Sequence, residues 1–181
     1  MPRLQPVHKE TANVATKTLL ATVEKKMGSI PNLIATMANS SAVANAYLGF
    51  SQSLSTGSLP PRLREQLALV VGESNACEYC VSAHTELGKR AGLSEQETYD
   101  ARRAIAAASK EGVALRFAKK LVAERGVVSD ADVQQVRQVG YTDGEIAEIV
   151  AHVALNIFTN YFNHVAETEV DFPLAPVLTA A

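Results

Sequence analysis

Residues 65 to 84, EQLALVVGESNACEYCVSAH, bring an acid, two cysteines and a histidine close together in the chain. On a helical wheel of residues 76–91, one face holds Cys77, Cys80, Val81, His84, Leu87, Gly88 and Ala91. The opposite face holds Glu78, Ser82, Thr85, Glu86 and Lys89. The sequence therefore predicts that the sulfurs and the imidazole point inward, where a polar group is costly without a partner.

The spacing of these three residues favours thiol chemistry. Cys80 and His84 are related as i and i+4, and Cys77 lies about one turn earlier, so a thiol and an imidazole can meet. If Asn75 is the N-cap, Cys77 lies in the first turn, where free N–H groups and the helix dipole favour a thiolate. His84 can activate Cys80 in the same way. Such a pair suits disulfide exchange or peroxide reduction, with one sulfur attacking and the other resolving.

Glu65 is a charged residue on a helical face that otherwise looks buried. It shares this face with Ala68, Leu69 and Gly72. A buried carboxylate needs a partner, and a proton exchanged with His84 or a cysteine would provide one. The alternative is a surface ion pair with Arg62 or Arg64, which would give Glu65 no chemical role.

The cysteine pair also allows a metal site or inert packing as interpretations. Two cysteines three residues apart close too small a loop to staple a fold, and in a reducing compartment such a pair is usually redox-active or metal-binding. Glu65 could complete a set of metal ligands, but three ligands on one helix splay apart, so we expect no metal. The glycines lie at helix ends and not in a phosphate-cradling loop, so we expect no nucleotide or other organic cofactor.

Helical periodicity and helix punctuation run through the whole chain, which predicts an all-α fold of about eight or nine helices in one domain, residues 1–181. We place helices near residues 12–26, 31–38, 42–55, 61–73, 76–91, 95–109, 112–124, 130–139 and 143–167. Three segments, beginning at Asn75, Ser94 and Thr142, have a capping residue three positions before a glutamate. The ends, residues 1–9 and 171–181, look like extended arms around a core of residues 28–173, either loose or wrapped on a neighbouring subunit.

Composition excludes several classes of function. The net charge of -2 comes from scattered acids and bases, so we expect no nucleic-acid partner. The first residues lack the apolar core of a secretory signal, so we expect a cytoplasmic location. Residues 149–166 carry no Asp, Glu, Lys or Arg but contain two histidines and three asparagines, so we expect a helix buried in protein and not a membrane span.

A polar stripe follows one side of this last helix: His152, Asn156, Thr159 and Asn163. The rest of the helix is apolar nearly all round, which is typical of burial on more than one side. We favour an internal hydrogen-bond network for the stripe, and contact with a substrate is the alternative.

The pattern Glu65, eleven intervening residues, Cys77-x-x-Cys80-x-x-x-His84 resembles the active site of the alkylhydroperoxidase D-like, carboxymuconolactone decarboxylase superfamily. GSIPNL at residues 28–33, NYFNH at 160–164 and DFP at 171–173 resemble its peroxidase-related members, so the similarity spans residues 28–173. The resemblance implies a helical fold, assembly as a homo-trimer or homo-hexamer, and reduction of an organic hydroperoxide or a disulfide by an external thiol donor.

Carried over residue by residue, the resemblance makes Cys80 the attacking sulfur, and Cys77 the sulfur that closes the disulfide and meets the donor. It makes His84 with Glu65 the proton relay. Tyr79 stands where some members have a further relay histidine, which implies a shorter relay here. A lyase of the decarboxylase branch, which does not rely on a cysteine pair, and a non-catalytic oligomeric scaffold are the competing interpretations.

Overall fold

A computed structural model describes residues 1–107 and 109–178 of the chain. These residues form nine α-helices and no β-strand, which confirms the predicted fold class. The helices are α1 (Val14–Met27), α2 (Asn32–Met37), α3 (Ser41–Ser55), α4 (Pro61–Ser74), α5 (Glu78–Arg90), α6 (Glu95–Arg102), α7 (Ser109–Ala123), α8 (Asp130–Gln138) and α9 (Asp143–Ala166).

Local sequence signals set most of the helix ends. Ser94 with Glu97 and Thr142 with Glu145 form the predicted capping boxes of α6 and α9, because each side chain bonds to the other residue's backbone N–H. Gly28 ends α1 in a left-handed conformation, with φ of 83°, that residues with a Cβ rarely adopt.

Helices α6 and α7 differ from their predicted extents. Helix α6 ends at Arg102 and not near residue 109, because Ala104 takes a left-handed conformation and the N–H of Ile105 bonds to the carbonyl of Asp100. Helix α7 begins at Ser109, three residues earlier than predicted, and accommodates Gly112 in its first turn. Residue 108, within the predicted range of α6, lies outside the described residues.

Helix α4 lies at the centre of the fold. It packs against α5, α6, α7 and α9, and its residues Leu67, Leu69, Val70 and Val71 are completely buried in the main core. Burial of several large aliphatic side chains from one helix fixes its position firmly. Glu65 is therefore carried by a helix that is packed on several sides.

Gly72 allows α5 to lie close against α4. A Cβ at Gly72 would meet Val81 Cγ2 at 3.3 Å and the Cβ of Cys80 at 3.5 Å. Gly88 of α5 instead leaves room for Leu93, whose Cδ1 a Cβ at Gly88 would meet at 2.9 Å. The close approach brings the start of α5, with both cysteines, against the central helix.

Both terminal arms lie against their own subunit in the described residues. The N–H groups of Arg3 and Leu4 bond to the carbonyl of Ala166, and in the C-terminal arm the N–H of Ala175 donates to Ser82 Oγ. Ser82 and Thr85, on the face of α5 opposite the cysteines, are buried next to this arm, a contact that the helical wheel does not show. Residues 179–181 of the predicted arm lie outside the described residues.

Helix α9 buries one side in protein, as predicted for its uncharged stretch, and leaves its outward side exposed. Its residues Ile149, Val153 and Asn160 are at most 4% exposed. Within residues 1–107 and 109–178, no helix combines the length and the apolar character needed to cross a bilayer.

Candidate active site

The turn between α4 and α5 places Cys77 at the start of α5. Cys77 itself is the N-cap, and its Sγ accepts a hydrogen bond of 3.4 Å from the N–H of Cys80. The prediction that Asn75 caps this helix is wrong, because Asn75 ends α4. Ala76, with φ of 52°, reverses the chain between them, and the N–H of Cys77 bonds to the carbonyl of Gly72. The sulfur of Cys77 therefore occupies the anion-favouring position at the helix N-terminus.

The two cysteines are joined as a disulfide. Their Cα atoms are 5.3 Å apart, and the residues are only 2% and 3% exposed. Both sulfurs are therefore shielded from bulk water, at the junction of α4, α5 and α9.

Glu65 and His84 form an ion pair across the seam between α4 and α5. Glu65 Oε2 lies 2.7 Å from His84 Nδ1, and about three quarters of each side chain is buried. Neither neighbouring arginine competes for the carboxylate: Arg62 pairs with Glu97, and Arg64 donates to the carbonyls of Leu54 and Ser55. The carboxylate can hold the Nδ1 proton, which leaves Nε2 as the nitrogen that exchanges protons.

One cavity of about 210 Å³ connects the ion pair with one of the two sulfurs. Cys80, His84 and Glu65 all line it, whereas no direct hydrogen bond joins His84 to either sulfur in the described part of the chain. Just over half of the other lining residues are apolar, among them Leu33, Ile34, Ala83, Leu87, Leu155 and Phe172. A molecule or a water in this cavity can therefore contact Cys80 and His84 together.

Cys77 lines a different cleft, of about 200 Å³, on the other side of the pair. The cleft is bordered by Glu73 and Arg102, whose side chains form an ion pair at 2.7 Å, and by the C-terminal arm. Arg102 also donates to the carbonyl of Pro176 and so ties the arm over the cleft.

Asn163 of α9 contacts both sulfurs. Its Nδ2 lies 3.2 Å from Cys80 Sγ and 3.9 Å from Cys77 Sγ, and the residue is 5% exposed. In the sequence, Asn163 stands out only as part of a polar stripe, and nothing there predicts its contact with the sulfurs. The available signal is the position of Asn163 as the fourth polar residue on one face of the helix. That position does not reveal which residues pack against this face.

The stripe is only partly a closed network. Asn156 Nδ2 and Thr159 Oγ1 donate to carbonyls of their own helix, those of His152 and Asn156. His152 Nε2 is buried without a partner, and burial, followed by the nearby Arg64 guanidinium, lowers the pKa of His152. His152 therefore enters the cavity wall as a neutral imidazole at neutral pH.

Two tyrosines complete the surroundings as protonated phenols. Burial raises the pKa of Tyr79, and its hydroxyl oxygen accepts the N–H of Leu33 at 3.2 Å. Burial, and then the negative charge of Glu65, raise the pKa of Tyr47 on the cavity wall. Tyr79, at the position where some relatives are expected to carry a relay histidine, thus ties α5 to α2 instead.

Among the residues that the structure describes, no three His, Cys, Asp or Glu side chains come close enough together to hold a metal ion. The pairing of Glu65 with His84 Nδ1 directs that carboxylate to the imidazole. The groups present are thus two sulfurs, an imidazole, a carboxylate and an amide.

A family model described as "Carboxymuconolactone decarboxylase family" matches residues 41–124, which contain Glu65, both cysteines and His84. The crystal structure of an alkylhydroperoxidase AhpD core, an uncharacterised peroxidase-related protein from Ralstonia eutropha JMP134, superimposes with a TM-score of 0.86. The two share 20% identity over 94% of this chain and 92% of the other. The family model therefore covers the part of the chain that carries the site, and the chain shares the fold of the alkylhydroperoxidase AhpD core.

Two further solved structures share the superfamily fold with this chain. A peroxidase-related protein from Silicibacter sp. TM1040 has a TM-score of 0.80 and 22% identity, covering 92% of each chain. A cysteine-to-alanine variant of the debrominase Bmp8, in complex with 2,3,4-tribromopyrrole, has a TM-score of 0.80 and 19% identity over 93% of this chain and 91% of the other. No curated protein matches the chain by sequence.

Proposed function

We propose that the chain is a thiol-dependent oxidoreductase that cycles Cys77 and Cys80 between dithiol and disulfide. The observation that carries the proposal is that Cys80 lines the same cavity as the Glu65–His84 ion pair. A sulfur that can be oxidised and a group that can move protons therefore face one small, mostly apolar space. The substrate is an organic hydroperoxide or a disulfide.

The reaction with a hydroperoxide has two steps. The Cys80 thiolate attacks the terminal peroxide oxygen, so that the O–O bond breaks, Cys80 becomes a sulfenic acid, and the alkoxide takes a proton and leaves as an alcohol. The Cys77 thiol then attacks the sulfenic sulfur, forming the disulfide and releasing water. Two electrons from a dithiol donor, or from two thiols, restore the pair by thiol–disulfide exchange at Cys77.

His84 and Glu65 act as the proton relay in this proposal. His84 Nε2 takes the proton from the Cys80 thiol and returns it to the departing alkoxide, through a water or the substrate itself, since no direct contact joins His84 to the sulfur. Glu65 holds the other ring nitrogen and stabilises the imidazolium that forms. With Tyr79 bonded to Leu33, the relay consists of these two residues.

The cycle requires partners beyond the substrate. We assign the reductant to an external thiol or dithiol, and we place the cycle in the cytoplasm, where such thiols are abundant. The outward side of α9 leaves Val150, Phe158, Tyr161 and Val165 exposed, each by 40% or more. An apolar stripe of this kind is typical of a subunit interface, and we propose a homo-trimer or homo-hexamer assembled through it.

Intact-mass analysis before and after mild organic hydroperoxide tests the proposal. The fully reduced protein should lose two hydrogens, located by fragmentation between Cys77 and Cys80. Cys80→Ser should abolish peroxide turnover, whereas Cys77→Ser should stop at a sulfenic acid that dimedone traps. Two thiols that survive repeated treatment with a hydroperoxide and with a disulfide unchanged would contradict the proposal and favour the scaffold or a metal site.

The lyase alternative is separated by the same variants. A lyase acting on a cyclic lactone needs neither sulfur, so full lactone turnover by Cys80→Ser, without peroxide turnover by the native protein, would replace this proposal.

Because Bmp8 is a debrominase, 2,3,4-tribromopyrrole belongs in the substrate panel. Replacement of one bromine by hydrogen would oxidise the dithiol to the disulfide and release bromide, so bromide release that depends on Cys80 would keep the thiol cycle and change its substrate.

A further inference from the structure

The side-chain amide of Asn163 is only half satisfied in the disulfide form. Its Nδ2 donates toward Cys80 Sγ at 3.2 Å, and its Oδ1 is buried without a hydrogen-bond partner. An unpaired carbonyl oxygen in a protein interior is costly, so its presence needs an explanation. A disulfide has no hydrogen to donate, whereas a reduced cysteine pair does.

The N-terminus of α5 favours negative charge on Cys77, whereas the proposed peroxide chemistry needs the thiolate on Cys80. Cys77 is the N-cap of α5, and its Sγ accepts the N–H of Cys80. The helix dipole and this N–H would therefore stabilise a thiolate at Cys77. Cys77 does not line the cavity that His84 and Glu65 share with Cys80.

We propose that Asn163 is a further catalytic residue, which holds the negative charge of the reduced pair on Cys80. Nδ2–H donates to the Cys80 thiolate, the nearer sulfur, and Oδ1 accepts the S–H of Cys77. Reduction brings two electrons and two protons to the disulfide; one proton stays on Cys77, and the other leaves Cys80 for the cavity. The amide thus has one donor for the thiolate of Cys80 and one acceptor for the thiol of Cys77. On reduction, the unpaired Oδ1 gains a hydrogen-bond donor.

Other charged and titratable groups also act on the two sulfurs. On the cavity side they are His84, Tyr79, Glu65, Arg64, His152 and Tyr47, and on the cleft side Glu73, Glu78 and Arg102. None of them is hydrogen-bonded to a sulfur in the described residues. Asn163 is therefore the side chain best placed to decide between Cys80 and Cys77.

Alkylation of the reduced protein tests this assignment. Iodoacetamide rates are measured for each cysteine as a function of pH, with the modified sulfur located by fragmentation between residues 77 and 80. The native protein should react first at Cys80. In Asn163→Leu, loss of a hydrogen bond to a charged sulfur should shift the ratio of thiolate at Cys80 to thiolate at Cys77 by about tenfold or more toward Cys77. In Asn163→Asp, of the same size but without the donor, the shift should be at least as large.

Asn160→Leu is the matched control. Asn160 lies on the same helix, is completely buried, and bonds to Asn75 and to neither sulfur. This variant changes packing and removes the hydrogen bond from Asn75 Nδ2, but it takes no donor away from either sulfur, so the ratio should stay within about twofold of the native value. A ratio that stays at the native value in both Asn163 variants would overturn the proposal, since a purely space-filling residue behaves in that way.

A measurement on the native protein covers the case in which the variants do not fold. In the reduced protein, the Asn163 side-chain amide protons should titrate in NMR spectra with the pKa of Cys80, because the N–H···S⁻ bond is lost when the thiolate takes up a proton. An amide signal that does not change through that titration would overturn the assignment. The inference rests on the proposed dithiol cycle. Both tests, however, need only the reduced protein and no peroxide turnover. Absence of turnover would therefore refute the proposed function and leave the assignment of Asn163 standing.

Discussion

Arg102→Met is a substitution for which the structure gives a definite magnitude. Arg102 is 7% exposed, its Nε lies 2.7 Å from Glu73 Oε2, and its Nη1 donates to the carbonyl of Pro176. Methionine keeps most of the apolar contact but leaves the Glu73 carboxylate, whose side chain is 32% exposed, without its cation and a carbonyl without its donor. Because solvent screens the exposed side of the carboxylate, the loss lies between that of a buried and an exposed pair, at about 2 kcal/mol. For a chain of this length, the melting temperature should fall by about 4 to 8 °C.

Arg137→Met provides the control for this measurement. Arg137 pairs with Asp143 at a similar distance, but the two side chains are 43% and 78% exposed. An exposed pair contributes about 0 to 1 kcal/mol, so this variant should stay close to the native protein. Urea unfolding followed by circular dichroism measures the free energy of unfolding of both variants under one set of conditions.

The same substitution has a functional consequence, because Arg102 ties the C-terminal arm over the cleft that Cys77 lines. Loosening the arm should speed reduction of the disulfide by a bulky dithiol more than reduction by a small thiol. The reasoning is refuted if Arg102→Met loses no more stability than Arg137→Met, or if the bulky and small reductants gain equally.

Three further predictions concern the site itself. Glu65→Gln should lower kcat/KM for a hydroperoxide by about 10²-fold, since a neutral amide stabilises the His84 imidazolium less well. Stopped-flow kinetics would measure this value, and an unchanged rate would remove Glu65 from the relay. Tyr79→Phe should lower the free energy of unfolding by about 1 to 3 kcal/mol, because the Leu33 N–H loses its acceptor. Urea unfolding gives the value, and an unchanged free energy would mean that water replaces the hydroxyl. Because the pKa of His152 is lowered in the folded protein, the unfolded chain binds more protons, so stability should fall as pH drops below the ordinary histidine pKa of about 6.5. His152→Gln should reduce that dependence, and an identical pH profile would contradict it.

The sequence predicted those parts of the fold that local chemistry determines. Capping residues such as Ser94 and Thr142 bond to backbone atoms within one turn, so their pattern is visible along the chain. The meeting of Glu65 and His84 was also predictable, because both face the seam of two consecutive helices joined by a short turn. Pairing between neighbours in sequence needs no knowledge of distant elements.

The failures have physical causes that a single sequence does not display. Asn75 is a good capping residue by type, but the left-handed conformation of Ala76 moves the cap to Cys77, and alanine gives no signal for that conformation. Ser82 and Thr85 are buried by an arm almost a hundred residues further along the chain. The contact of Asn163 with the sulfurs likewise depends on which wall of the site α9 provides.

The division of the cysteine pair between two openings has a kinetic consequence. Cys80 lines the cavity and Cys77 lines the cleft, so in the proposed cycle the oxidant would reach the reduced pair from one side and the reductant would reach the disulfide from the other. A ligand that binds tightly in the cavity should slow oxidation of the dithiol without slowing reduction of the disulfide by the donor. A ligand bound in the cleft should slow the reduction without slowing the oxidation. The two inhibitors should therefore bind at the same time, each raising the level of a different redox form of the protein.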